Sequence, residues 1–198
     1  MATLTQVRRT LAHYLTESLV GLLARTSITP NTITWLGLCV SAGAGVLIGF
    51  GHTFAAGFVM LAGGFLDIID GALARRTGQA SRFGAILDST LDRLGEAAVL
   101  LGLLVLYAGQ QSVVGTVLVG IVWVASVLVS YIRARAEAMG LGCEVGLFTR
   151  GERVVVLALG LLLSRIDSAL LVALGIVATL SVVTVVQRLL HVWRQIRA

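Results

Sequence analysis

The sequence predicts an all-α integral membrane protein, with six transmembrane helices preceded by an amphipathic helix lying in the membrane interface. Three observations carry that expectation. Of 198 residues, 57% are hydrophobic and 13% charged, whereas a soluble domain carries about a quarter charged residues. The apolar residues gather in runs that approach the ~20 residues needed to cross a bilayer as a helix. All fifteen basic residues are arginine, giving a net charge of +5, and they cluster at the ends of alternate runs. That placement reads as membrane topology and anionic headgroups rather than nucleic-acid binding. Cys39 and Cys143 fall in a span and a loop far apart, a pattern that suggests neither a disulfide nor a zinc site. The chain is read as one domain, 1–198, with the interfacial helix at 1–25 and the bundle at 26–198.

Each element has its own signal. In residues 1–25, Leu4, Val7, Leu11, Leu15, Leu19 and Leu22 recur at spacings of three and four, an apolar stripe flanked by Arg8, Arg9 and Arg25. His13 and Glu17 interrupt what a signal peptide would keep apolar; the plainer alternative is a cytosolic helix packed on the bundle. Pro30, the only proline, marks the start of the first span, which runs through Trp35 to Phe50. Gly45 and Gly49 give that span a face for close helix contact. The second span covers about 55–75, the third 82–107 and the fourth 113–137. The fifth, 154–164, is short unless Arg150, Glu152 and Arg153 form its buried mouth. The sixth covers 168–186 and leads into a basic tail. Six spans put both termini on one side, together with every arginine except Arg165, if Arg93 is counted with the carboxylate end of its span. The positive-inside rule makes that side the cytoplasm.

The polar chemistry is concentrated in residues 67–92. Asp67 and Asp70 are three apart, and Gly84, Asp88 and Asp92 follow at spacings of four, so each set shares one helical face. Between them RRTGQASR reads as a turn between antiparallel helices. Four carboxylates would then face one another near one membrane face. Such a cluster repels itself and needs bound cations or raised pKa values; a divalent cation held by oxygens is the simplest answer. A cation channel or transporter is the rival from another class. It is disfavoured because no second acidic ring or broken helix continues the path across the bilayer.

From Asp67 the chain reads D-x2-D-G-x2-A-R-x8-G-x3-D-x3-D, with Asp67, Asp70, Gly71, Ala74, Arg75, Gly84, Asp88 and Asp92 at the fixed positions. This pattern resembles the CDP-alcohol phosphatidyltransferase family of membrane enzymes. The resemblance implies transfer of a phosphatidyl group from a CDP-lipid to an alcohol with release of CMP, assisted by Mg²⁺ or Mn²⁺ on Asp67, Asp70, Asp88 and Asp92. It assigns to Asp92 the proton of the attacking hydroxyl, although the residues alone do not separate base from metal ligand. Gly71 and Ala74 would let a nucleotide approach the backbone, and Arg75 suits a pyrophosphate. By resemblance Ser81 and residues Asn31, Thr32, Ile33 and Thr34 would touch the CDP-lipid. Helix capping is the ordinary reading of a serine and an asparagine at such positions.

Arg133, Arg153 and Arg188 each stand at the same end of a different late span. An arginine buried in a membrane is costly and is a functional candidate by default. Three that converge would bind a phosphate on the acceptor; anchoring at the interface is the competing explanation. The segments RFGAILDSTLDR, SYIRARAEAMGL, FTRGER and VQRLLHVW are similar to those of the phosphatidylinositol-phosphate synthase branch and its archaeal counterparts. That similarity implies inositol 1-phosphate as acceptor, a homodimer, and an integral membrane enzyme with its site facing the cytoplasm. The same chemistry with glycerol 3-phosphate or another alcohol is the nearest alternative.

Overall fold

In the computed structural model, residue 17 and residues 19–197 are described, and no strand occurs among them. Six helices follow in order: α1 (Pro30–Gly49), α2 (Thr53–Arg76), α3 (Arg82–Gly109), α4 (Val113–Ala138), α5 (Arg150–Leu162) and α6 (Ala169–Arg197). Their starts are written in the sequence. Thr29, Ser81 and Ser112 each cap a helix by accepting the backbone N–H three residues on, at 3.3, 2.9 and 3.2 Å. A cap of this kind stabilises a helix by about 1 kcal/mol. Pro30 takes the first helical position, where its missing N–H costs nothing.

α1 packs against both α2 and α3, α2 against α5, α3 against α4, and α6 against α4 and α5. The tightest of these seams joins α1 to α3. A Cβ on Gly45 would lie 2.3 Å from the carbonyl oxygen of Ala98, and one on Gly102 would lie 2.1 Å from that of Gly45. In a bilayer such backbone approach replaces the hydrophobic effect as the source of helix association. The main core gathers Ala44, Ile48, Leu103, Val119, Leu157, Leu161, Leu174 and Val177. Val20, Ile33, Ile69 and Leu73 form a smaller one. Large apolar side chains such as Phe50, Val113, Val124 and Val172 point outward, as lipid-facing residues do.

Four helices, α1, α2, α4 and α6, are long and apolar enough to cross a membrane. α3 has the length, 28 residues, but its first fifteen residues carry Arg82, Asp88, Asp92, Arg93 and Glu96. α5 has 13 residues, about 20 Å, which is short of a ~30 Å hydrocarbon layer. It begins at Arg150 and not near Val154 because the Glu152 carboxylate accepts the Thr149 N–H at 2.8 Å. This is the reach-back of a capping box. α6 runs on to Arg197, so the expected basic tail is helical. The N-terminal stripe lies mostly outside the described residues. Within them residues 19–23 are helical, with Val20 buried and Leu19 and Leu22 exposed.

Candidate active site

The chain reverses at the turn 77–81, where Gly78 adopts φ +66°, a conformation that favours glycine. The end of α2 and the start of α3 thereby turn their carboxylates toward one another without packing closely together. Oxygens of Asp67, Asp70 and Asp88 lie within 4.8 Å of one another. Asp70 is buried, and one oxygen of Asp88 is buried without a hydrogen-bond partner. An all-oxygen donor set with an unsatisfied oxygen fits a hard divalent cation. Asp92 stands outside that trio. Instead Arg150, at the first position of α5, sends its NH1 to Asp92 at 2.6 Å and to Asp67 at 2.8 Å. One guanidinium therefore joins the two acidic pairs.

Two cavities open on either side of the carboxylates. The first, about 200 Å³, lies among α1, α2 and α3, bordered by Asn31, Thr34, Asp70, Gly71, Ala74, Arg75, Ser81 and Asp88. Thr32 and Ile33 are not among its walls. Thr32 is exposed and its hydroxyl lies 2.9 Å from that of Thr29, a capping contact, while Ile33 is in the small apolar core. Ser81 both caps α3 and borders the cavity.

The second cavity, about 990 Å³, lies between α3, α4 and the starts of α5 and the late part of α6. Asp92, Arg133, Arg153 and Arg188 all border it. The three expected arginines therefore share one chamber with one aspartate, but their partners differ. Arg133 is exposed and paired with Glu137 at 2.7 Å. Arg153 is 1% exposed and gripped by Glu96 through Nε at 2.8 Å. Arg188 is buried, and donates from Nε to the Val145 carbonyl at 2.9 Å and from NH1 to that of Val129. Two of its donors thus fasten the 139–149 loop and α4 to α6. Asp92 also borders a narrow space with Asp67, Asp70 and Arg150, and so stands between the carboxylate trio and the large chamber.

Sequence reasoning missed Arg150, Arg93 and Glu96 as site residues. Glu96 was within reach, because it extends the Gly84, Asp88, Asp92 spacing by one more turn. Arg150 needed the capping signal at Thr149 and Glu152, which fixes where α5 starts.

The sequence profile of CDP-alcohol phosphatidyltransferases matches residues 27–194. The chain belongs to that family. Among this phosphatidyltransferase's relatives, the archaetidylinositol phosphate synthase of Pyrococcus horikoshii is 37% identical over 167 residues, which are 84% of this chain and 84% of that one. The phosphatidylinositol phosphate synthase of Mycobacterium tuberculosis is 40% identical over 181 residues, covering 86% of this chain and 82% of the relative. The crystal structure of the mycobacterial enzyme with CDP-DAG bound superposes with a TM-score of 0.82 at 35% identity, covering 91% of this chain and 94% of that one. Its complex with manganese and citrate gives a TM-score of 0.83 at 36% identity, over 90% and 88% of the two chains. This phosphatidyltransferase is therefore an enzyme of phospholipid synthesis, and its long apolar helices are those of a membrane protein.

Proposed function

We propose that the protein transfers a phosphatidyl group from CDP-diacylglycerol, or a similar CDP-lipid, to inositol 1-phosphate and releases CMP. The observation that carries this reading is the position of Asp92. It borders the carboxylate cluster on one side and the arginine-lined chamber on the other. The cytidine and pyrophosphate occupy the cavity of Asn31, Thr34, Gly71, Ala74, Arg75 and Ser81, where Arg75 offers its planar fork to a phosphate oxygen. A divalent cation, Mg²⁺ or Mn²⁺, held by Asp67, Asp70 and Asp88 and reached by Asp92, would offset the pyrophosphate charge and that of the departing CMP. The inositol phosphate enters the large chamber, where Arg133, Arg153 and the remaining donor of Arg188 attract its phosphate. Its hydroxyl then faces Asp92, which accepts the proton as the oxygen bonds to the lipid-side phosphorus. The bridging oxygen leaves with CMP.

The likeness to the mycobacterial and archaeal inositol phosphate enzymes supports this acceptor, as does a chamber walled by arginine. Six spans, a cytoplasmic site and a homodimer belong to the same proposal. Four helices have spanning length and composition; α3 and α5 complete the crossing with their polar ends at the cytoplasmic surface. The test is the acceptor dependence of Arg133→Gln. A phosphorylated acceptor predicts a KM for inositol 1-phosphate raised about tenfold with that for the CDP-lipid unchanged. An unchanged acceptor KM contradicts the assignment of this chamber.

A further inference from the structure

Glu96 is one turn beyond Asp92 on α3, lies behind Arg153 at the wall of the large chamber, and has no part in the reaction above. Its Oε1 accepts from Arg153 Nε at 2.8 Å, and its Oε2 accepts from Arg153 NH2 at 3.3 Å and Arg93 NH1 at 2.8 Å. Arg93 NH1 also donates to Ser130 Oγ at 2.9 Å. One carboxylate therefore holds two guanidinium groups, both of which border the chamber. Arg153 NH1 is buried with no protein hydrogen-bond partner. Side by side, two guanidinium groups repel each other, and the shared carboxylate offsets that repulsion.

We propose that Glu96 is a positioning residue for the acceptor: it yokes Arg153 and Arg93 so that their spare donors form a fixed, doubly cationic wall for a phosphate. The inference rests on the reading of this chamber as the acceptor site. The two-point grip on Arg153 fixes the plane of its guanidinium, which sets where its free N–H groups point. A wall organised before the ligand arrives spends no binding energy on ordering long side chains. Arg93 thereby becomes a specificity residue for phosphorylated over neutral acceptors. Glu96 touches no substrate and acts only through its two arginines.

Glu96→Gln tests this in the full chain, purified in detergent and assayed by CMP release with CDP-diacylglycerol and Mg²⁺. An amide presents one oxygen and one NH₂ group, so whichever way it turns the two-point grip on Arg153 is lost. The expected result is a KM for inositol 1-phosphate raised about tenfold, kcat within about threefold, and an unchanged KM for CDP-diacylglycerol. In an Arg153→Gln background the same change should raise that KM by a smaller factor than it does alone, since one of the two residues it acts through is already gone. An unaltered acceptor KM, a loss confined to kcat, or full additivity with Arg153→Gln would overturn the proposal. If Arg153→Gln alone leaves the acceptor KM unchanged, the acceptor reading itself fails. If it raises that KM and Glu96→Gln does not, only the role of Glu96 fails. Should Glu96→Gln not survive purification, Glu96→Asp keeps the charge but withdraws it by one methylene. It should show the same split between the two KM values, and equal effects on both would count against the proposal.

Discussion

Arg150 carries the only positive charge placed directly between Asp67 and Asp92 among the described residues. Its removal leaves two carboxylates facing each other without compensation, and a bound cation is the one remaining source of positive charge close to both. Arg150→Gln should therefore lower the apparent Tm in EDTA by at least about 3 °C, and saturating Mn²⁺ should recover most of that loss. An equal loss with and without Mn²⁺ would show that Arg150 does not share the cation's task. Arg75 borders only the smaller cavity, so Arg75→Gln is expected to raise the KM for CDP-diacylglycerol about tenfold and spare that for the acceptor. Steady-state kinetics with each substrate varied in turn would decide it. At this scale the aspartates were legible, because spacings of three and four fix a helical face whatever the helix packs on. The partners of the arginines were not. Arg188 stands at a span end like Arg133, yet two of its three nitrogens are taken by the carbonyls of Val129 and Val145, and only the packing of α6 against α4 and the 139–149 loop decides that.

The helices and their seams show how a charged site is held inside an apolar bundle. α1 and α3 meet backbone to backbone at Gly45 and Gly102, which fixes the start of α1 against Asp88 and Ser81 at the mouth of the smaller cavity. Gly45→Val cannot be accommodated without parting the two helices, and we expect loss of the monodisperse peak in size-exclusion chromatography. Gly43→Ala, with nothing within 4 Å of the added carbon, should be neutral or raise the Tm slightly, through the higher helix propensity of alanine. The sequence drew attention to Gly45 and Gly49 as a spaced pair. Gly49 packs loosely, with Val105 Cγ1 3.6 Å from an added Cβ, and the true partner of Gly45 is Gly102, which spacing within one helix cannot reveal. Likewise helix starts marked by Pro30, Ser81 and Ser112 were readable, while that of α5 was hidden by the charges of Arg150, Glu152 and Arg153. Those charges look like a loop unless the capping pair is recognised.

Over the whole molecule, the turn 77–81, the loop 139–149 and the end of α6 lie at the end of the bundle that carries both cavities. Residues 50–52, 110–112 and 163–168 lie at the other. The proposed topology predicts that single cysteines at Gln79 and Arg197, in a Cys39→Ser, Cys143→Ser background, are labelled by an impermeant maleimide only in inside-out vesicles. One at Gln110 should be labelled only in right-side-out vesicles. The opposite pattern would overturn the cytoplasmic placing of the site. The composition of the chain made the all-helical membrane class legible, but not whether the polar first half of α3 and the short α5 cross fully, because their charges are neutralised by each other across the fold.

In the proposed reaction Asp92 joins a CDP-lipid site to a chamber for a phosphorylated inositol. The most direct test is CMP release by the purified protein with CDP-diacylglycerol and Mg²⁺, with inositol 1-phosphate, glycerol 3-phosphate and free inositol in parallel, beside Asp92→Asn. Release is expected with inositol 1-phosphate alone, reduced about 10²–10⁴-fold in the variant. Release with glycerol 3-phosphate or free inositol in its place, or full activity in Asp92→Asn, would contradict it.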